Sequence, residues 1–243
     1  MMPQISSVIE RRLLVNYRVE PDVAAALLPA PLRPHLVGDW AVAGICLIRL
    51  GRVRPVGLPS AVGVRSENAA HRIAVEWDGP DGVESGVYIP RRDSGSPLNV
   101  LLGGCLFPGV HSFARFDVAE SGHDLHVAYT SRDNSTKVSV DVRTVDEFEG
   151  SAMFPDLATA SDFFQRGRNG FSASRNGTRL DGLELDTHAW QVSPAHTHAV
   201  RSTFFEDRTR FPRGSATLDC TLLMRDVPAV WNVTAPMRIT TMV

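Results

Sequence analysis

The stretch Lys137-Val138-Ser139-Val140-Asp141-Val142-Arg143-Thr144-Val145 alternates strictly, with Val138, Val140 and Val142 at one parity and Lys137, Ser139, Asp141 and Arg143 at the other. Successive side chains of a strand point to opposite faces, so this period of two predicts a strand with its valines on a core. Working outward, the same signal recurs. Residues 115–118 and 125–131 flank a turn at 120–124, and residues 68–77 and 86–90 flank the Gly-Pro-Asp-Gly turn at 79–82; each pair reads as a hairpin. Residues 7–19 are rich in β-type side chains and 40–49 form a largely apolar strand, while 171–173, 183–186, 196–205 and 216–224 return to strand-like content. Helix is scarce. Pro21-Asp22 opens a short one through Leu28 that Pro29 and Pro31 stop. The other candidates are 97–102 and 161–168, the second with Ser161 as N-cap and Gly170 as its stop. About ten short strands with few helices predict a mostly β (α+β) protein, its antiparallel sheets closed or stacked around one core, in a single domain over 1–243.

Composition narrows the function classes. With 25 Lys plus Arg against 27 Asp plus Glu, the formal net charge of -2 argues against a nucleic-acid partner, which needs a basic excess. A hydrophobic fraction of 43% with 21% charged residues suits a globular chain with a sizeable core. No apolar run approaches the roughly 18 residues of a membrane helix, and residues 1–12 lack the pattern of a signal peptide. The expectation is a soluble cytoplasmic protein without a membrane partner. Cys46, Cys105 and Cys220 are widely spaced in apolar surroundings and read as inert core fillers. The Asn-x-Thr matches at Asn134, Asn176 and Asn232 carry no meaning without secretion. Of the 25 Lys plus Arg all but Lys137 are arginine, so that residue and the N-terminal amine are the only primary amines.

Two neighbouring segments carry the strongest pattern: Arg65-Ser66-Glu67-Asn68 and Gly86-Val87-Tyr88-Ile89-Pro90-Arg91-Arg92-Asp93. Together with the entry strand Leu14-Val15-Asn16-Tyr17-Arg18 and the proline-bounded helix that follows it, they occur in the order in which the chain resembles the acetoacetate decarboxylase-like superfamily, closest to its uncharacterised YqjF-like branch. The resemblance covers residues 13–106 and fades after Val145. It implies a closed antiparallel β-barrel or cone enclosing a small-molecule cavity. In the decarboxylases the Tyr-x-Pro is followed by two lysines, one of which forms a Schiff base with the substrate ketone. Arg91 and Arg92 stand there in this chain, and a guanidinium stays protonated and cannot act as an amine nucleophile. What the resemblance then implies is a small anionic organic molecule bound by Arg18, Arg91 and Arg92, with Glu67 as the proton-handling catalytic carboxylate. No cofactor and no metal are expected.

The leading expectation is therefore a protein that binds a small organic acid and, if an enzyme, transforms it by acid–base or electrostatic means without an imine. A non-catalytic ligand-binding module on the same fold is the alternative, distinguished by a mainly apolar cavity with an anchoring charge. The same arginines and carboxylates, with Asp93 in reach, also fit a purely structural ion network. A third reading takes His196 and His198 as two ligands of a divalent metal in a lyase or hydrolase, the third coming from Glu206 or His71. The run Asp162-Phe163-Phe164-Gln165 reads as a helix packing its aromatics. Hydrolase, dinucleotide and phosphate-loop motifs are absent. Lys137 belongs to the polar face of its strand, which normally means solvent; turned into a cavity, it would restore imine chemistry. A homo-oligomer is left open.

Overall fold

A computed structural model describes residues 4–97 and 109–239. In chain order, β1 (Gln4–Val19) is followed by helix α1 (Pro21–Ala25), the short β2 (Arg33–Pro34) and β3 (Leu36–Val37), and then β4 (Trp40–Pro55), β5 (Val64–Gly79) and β6 (Gly82–Ser94). Next come β7 (His111–Ser121), β8 (Asp124–Ser131), β9 (Lys137–Thr144), helix α2 (Leu157–Arg166), β10 (Asn169–Ala173) and β11 (Arg179–Asp186). The chain ends with β12 (Ser193–Ser202), the single-turn α3 (Thr203–Glu206) and the long β13 (Ala216–Arg238). No helix among the described residues is long and apolar enough to cross a membrane.

All the strands join one sheet that closes on itself. Its wall is β13-β1-β4-β5-β6, and both edges of the wall divide. The end of β6 pairs β7 while its middle pairs β10. Likewise β13 pairs β12 through residues 221–223 and β11 through residues 230–238. One circuit therefore runs through β7, β8, β9 and β12, and another through β10 and β11. The β6–β7 and β6–β10 pairings are parallel, a departure from the all-antiparallel expectation. Gly86 permits the second circuit: a Cβ there would lie 2.4 Å from the carbonyl oxygen of Asn169, so only glycine lets β10 approach this closely.

Period-two alternation sorts the wall's side chains between two cores. Leu13, Val15, Ile45 and Ile73 face the first, where Val138, Val140 and Val142 join them at 3%, 0% and 2% exposure. Leu14, Val42, Cys46 and Leu222 face the second, which α2 covers with Phe163 and Phe164. The helix begins earlier than expected. Asp156, not Ser161, is the N-cap, its carboxylate accepting from the Thr159 amide at 2.7 Å, and the helix stops at Gly167. Ser161 instead accepts from Trp190 Nε1, and Gly170 lies within β10. Helix α1 ends at Ala25 rather than Leu28. Phe204 and Phe205, expected in a strand, fold into α3 so that both rings enter the first core. The expected helix at 97–102 and Cys105 fall largely or wholly outside the described residues.

Candidate functional site

Arg91 and Arg92 are consecutive in β6 and therefore part to opposite faces. Arg91 turns to the first-core side, where its Nε and Nη2 grip Asp93 at 3.0 and 2.8 Å and its Nη1 reaches Ser135 Oγ at 3.1 Å. Asp93 is 1% exposed, and burial raises its pKa against the pull of Arg91. Tyr129 points its hydroxyl at the same carboxylate across a long 3.5 Å, and burial, then the Asp93 charge, raise its pKa as well.

His71 is paired in register with Arg91 on the adjoining strand. It is fully buried, its ring stacks on Phe204 with centroids 4.3 Å apart, and Nε2 lies 3.3 Å from Ser202 Oγ. Nδ1 has no partner. Burial, then the charges of Arg91 and Arg210, push its pKa down to about 3. It is a neutral imidazole at ordinary pH, with one ring nitrogen able to donate and the other to accept. A guanidinium, a carboxylate whose pKa burial raises and a neutral imidazole thus occupy one side of the first core.

Glu67 lies elsewhere on that face, inside an ion network. The fully buried Arg11 bridges Glu67 at 2.5 Å and Glu120 at 2.8 Å, Arg49 reaches the same two carboxylates at 2.5 and 3.0 Å, and Arg225 closes on Glu120 at 2.9 Å. Both Glu67 oxygens are occupied by arginines. Arg18 is on the opposite, second-core side, 3.4 Å from the buried Asp219 and with its guanidinium over the Trp40 ring. Arg92 is also on that side and donates from Nε to Ser172 Oγ at 3.0 Å. The four residues singled out from sequence thus have four separate sets of partners, and Arg18, Arg91 and Arg92 do not converge on one anion. The grouping with Arg91 that sequence reasoning under-read is Asp93, Tyr129 and His71. Asp93 was legible, since two residues along a strand is the same face, whereas His71 and Tyr129 meet Arg91 only through strand register.

His196 and His198 are both exposed on β12, with ring centroids 5.1 Å apart and a register irregularity between Thr197 and Ala199. His71 is sealed in the core, and no three His, Cys, Asp or Glu side chains gather in a metal-binding group among the described residues. Lys137 is exposed on the face opposite Val138, bordering an open depression shared with Arg115, Ser139 and Arg201.

The family DUF2071, described as an uncharacterized conserved protein, matches residues 8–224. No curated protein matches the sequence. Among solved structures, acetoacetate decarboxylase from Legionella pneumophila is similar at 12% identity and a TM-score of 0.59, over 97% of this chain and 88% of that one. An acetoacetate decarboxylase-like enzyme from Sphingomonas wittichii RW1 is similar at 10% identity and 0.57, over 98% and 93%. The enduracididine biosynthesis enzyme MppR complexed with pyruvate is similar at 12% and 0.56, over 98% and 90%. At these identities the likeness is one of fold, and the fold is the one the sequence resemblance implied.

Proposed function

The chain belongs to the DUF2071 family, and from that premise we propose that it binds a small organic acid in the first core and handles it by electrostatic and acid–base means, without an imine. The observation that carries this reading is the position of Arg91. A guanidinium stands beside neutral His71 on the inner face, while Lys137 is exposed on the outer one. A fold relative of this chain is described with pyruvate, which makes short oxo acids the first ligands to try.

In the proposed binding step the ligand carboxylate replaces Asp93 on the Arg91 fork. Burial already favours the neutral form of Asp93, so the displaced carboxylate takes up a proton and the ligand keeps Arg91 as its charge-assisted partner. His71 Nδ1 supplies one further hydrogen-bonding position for a ligand oxygen. Glu67 acts through Arg11 and Arg49, holding the network rigid rather than moving a proton. A second reading, a non-catalytic ligand-binding module, is favoured by a small, mainly apolar cavity in the second core where arginine is the anchoring charge.

Calorimetric titration of the chain with pyruvate and acetoacetate, in two buffers of different ionisation enthalpy, tests the proposal. The expected result is saturable binding with proton uptake, weakened by about 1.5–3 kcal/mol in Arg91→Met, the range for a charged hydrogen bond. Borohydride reduction with either acid should leave the peptide containing Lys137 unmodified. A stoichiometric adduct on that peptide would overturn the imine-free reading.

A further inference from the structure

Three arginines of the second core have no carboxylate partner among the described residues. Arg12 on β1, Arg72 on β5 and Arg92 on β6 share the wall face that α2 covers, and small residues make room for two of them: Arg72 lies across from Gly44 and Arg92 across from Ala70. Each donates to one acceptor without a formal acid. Arg12 Nε reaches Cys46 Sγ at 3.3 Å, Arg72 Nη2 reaches Asn16 Oδ1, and Arg92 Nε reaches Ser172 Oγ at 3.0 Å. What remains is one buried nitrogen on every fork with no hydrogen-bond partner among the described residues: Arg12 Nη1, Arg72 Nε and Arg92 Nη2. Arg72 as a whole is only 3% exposed. Burial lowers the pKa of Arg72 and of Arg92 to about 10, so both remain charged at neutral pH.

Charged groups taken out of water need a counter-charge as well as hydrogen bonds, and these three have neither in full. The space beside them has the shape of an answer. A cavity of about 60 Å³ is bounded by Arg12, Arg92, Ile89, Leu185, Trp190 and Trp231. A void of about 10 Å³ bounded by Arg12 and Arg72 adjoins it through Val87, Phe164 and Gly167. One water needs roughly 10–15 Å³ on this measure, so the larger cavity takes about four such positions, the room for a molecule of four to six heavy atoms. Guanidinium forks at one side select a carboxylate, and indole and aliphatic walls at the other select an apolar tail. A phosphate would satisfy the forks but waste those walls.

We propose that Arg12 and Arg92 hold the carboxylate of a short aliphatic monocarboxylic acid, whose tail lies against Trp190 and Trp231 beneath α2, with the Arg72 charge across the adjoining void. This site is separate from the one around Arg91, on the other face of the wall, and does not depend on it.

The test is titration of the full chain with sodium butyrate and, in parallel, inorganic phosphate, followed by calorimetry and tryptophan fluorescence. Butyrate should bind saturably and change the emission, and the change should be lost in Trp190→Phe. Arg92→Met should bind at least tenfold more weakly, and Arg92→Lys, which keeps the charge but loses the fork, serves if the first variant does not fold. Retention of butyrate binding in Arg91→Met with loss in the Arg92 variants supports the site. Absence of saturable butyrate binding at millimolar concentration overturns it. So does equal affinity in wild type and Arg92 variants, loss confined to Arg91→Met, or phosphate bound as tightly as butyrate.

Discussion

Replacing His71 by Gln removes a titrating group while keeping a neutral polar side chain able to reach Ser202, and the effect on pH-dependent stability can be worked out beforehand. The ordinary imidazole value of 6.5 applies to the unfolded chain, against about 3 in the fold. Between those values the unfolded chain binds a proton that the native state refuses. The sign follows: stability is full above pH 6.5 and is lost progressively as the pH falls towards 3. At pH 5 the unfolded state gains about 2 kcal/mol from this proton, at roughly 1.4 kcal/mol per pH unit below 6.5. Asp93 works in the opposite direction. Its raised pKa makes the native state the better proton binder, so it adds stability as the pH falls through its folded value. Comparing wild type with His71→Gln cancels Asp93 and every other group common to both. Urea unfolding at pH 7.5 and 5.0 should therefore show wild type losing about 2 kcal/mol more than the variant. Equal losses in the two proteins would refute the buried neutral imidazole.

Two further substitutions test the architecture. Arg11→Met takes away the buried bridge between Glu67 and Glu120 but leaves Arg49 on both and Arg225 on Glu120, so it should cost about 1.5–3 kcal/mol in denaturant melts, the range for a charged hydrogen bond. Phe164→Ala removes the ring that packs on Phe154, Phe163 and the Arg72 guanidinium, and the same melts should register a loss of about 3–5 kcal/mol.

Strands were the most legible part of the sequence because their signal is local: the valines at 138, 140 and 142 need no partner to announce which face is inward. Hairpin turns were equally local. The errors fall where a tertiary contact decides. Ser161 is a reasonable N-cap by residue type, but Asp156 holds that place five residues earlier, and Ser161 is taken by Trp190. Phe204 and Phe205 look β-like in isolation, yet a single helical turn lets the Phe205 ring stack on Tyr17 and the Phe204 ring on His71. The division of the sheet edges at β6 and β13 had no sequence signal at all, since it depends on which strand arrives at which segment.

The candidate site shows the same divide within two residues. Placing Arg91 and Arg92 on one ligand contradicts the period of two that identified the strands in the first place; consecutive residues of a strand cannot share a face without a bulge between them. The irregularity in the β5–β6 ladder falls between His71 and Ile73, and beyond it Arg91 and Arg92 pair in sequence with His71 and Ala70. Each arginine therefore inherits the surroundings of its own face. Arg91 meets Asp93 two residues on and is neutralised, while Arg92 borders a cavity with Arg12 and meets no carboxylate among the described residues. The chemistry of the pair follows from parity plus register: one position is an internal ion pair that a ligand must open, and the other belongs to a cationic cluster that a ligand can complete.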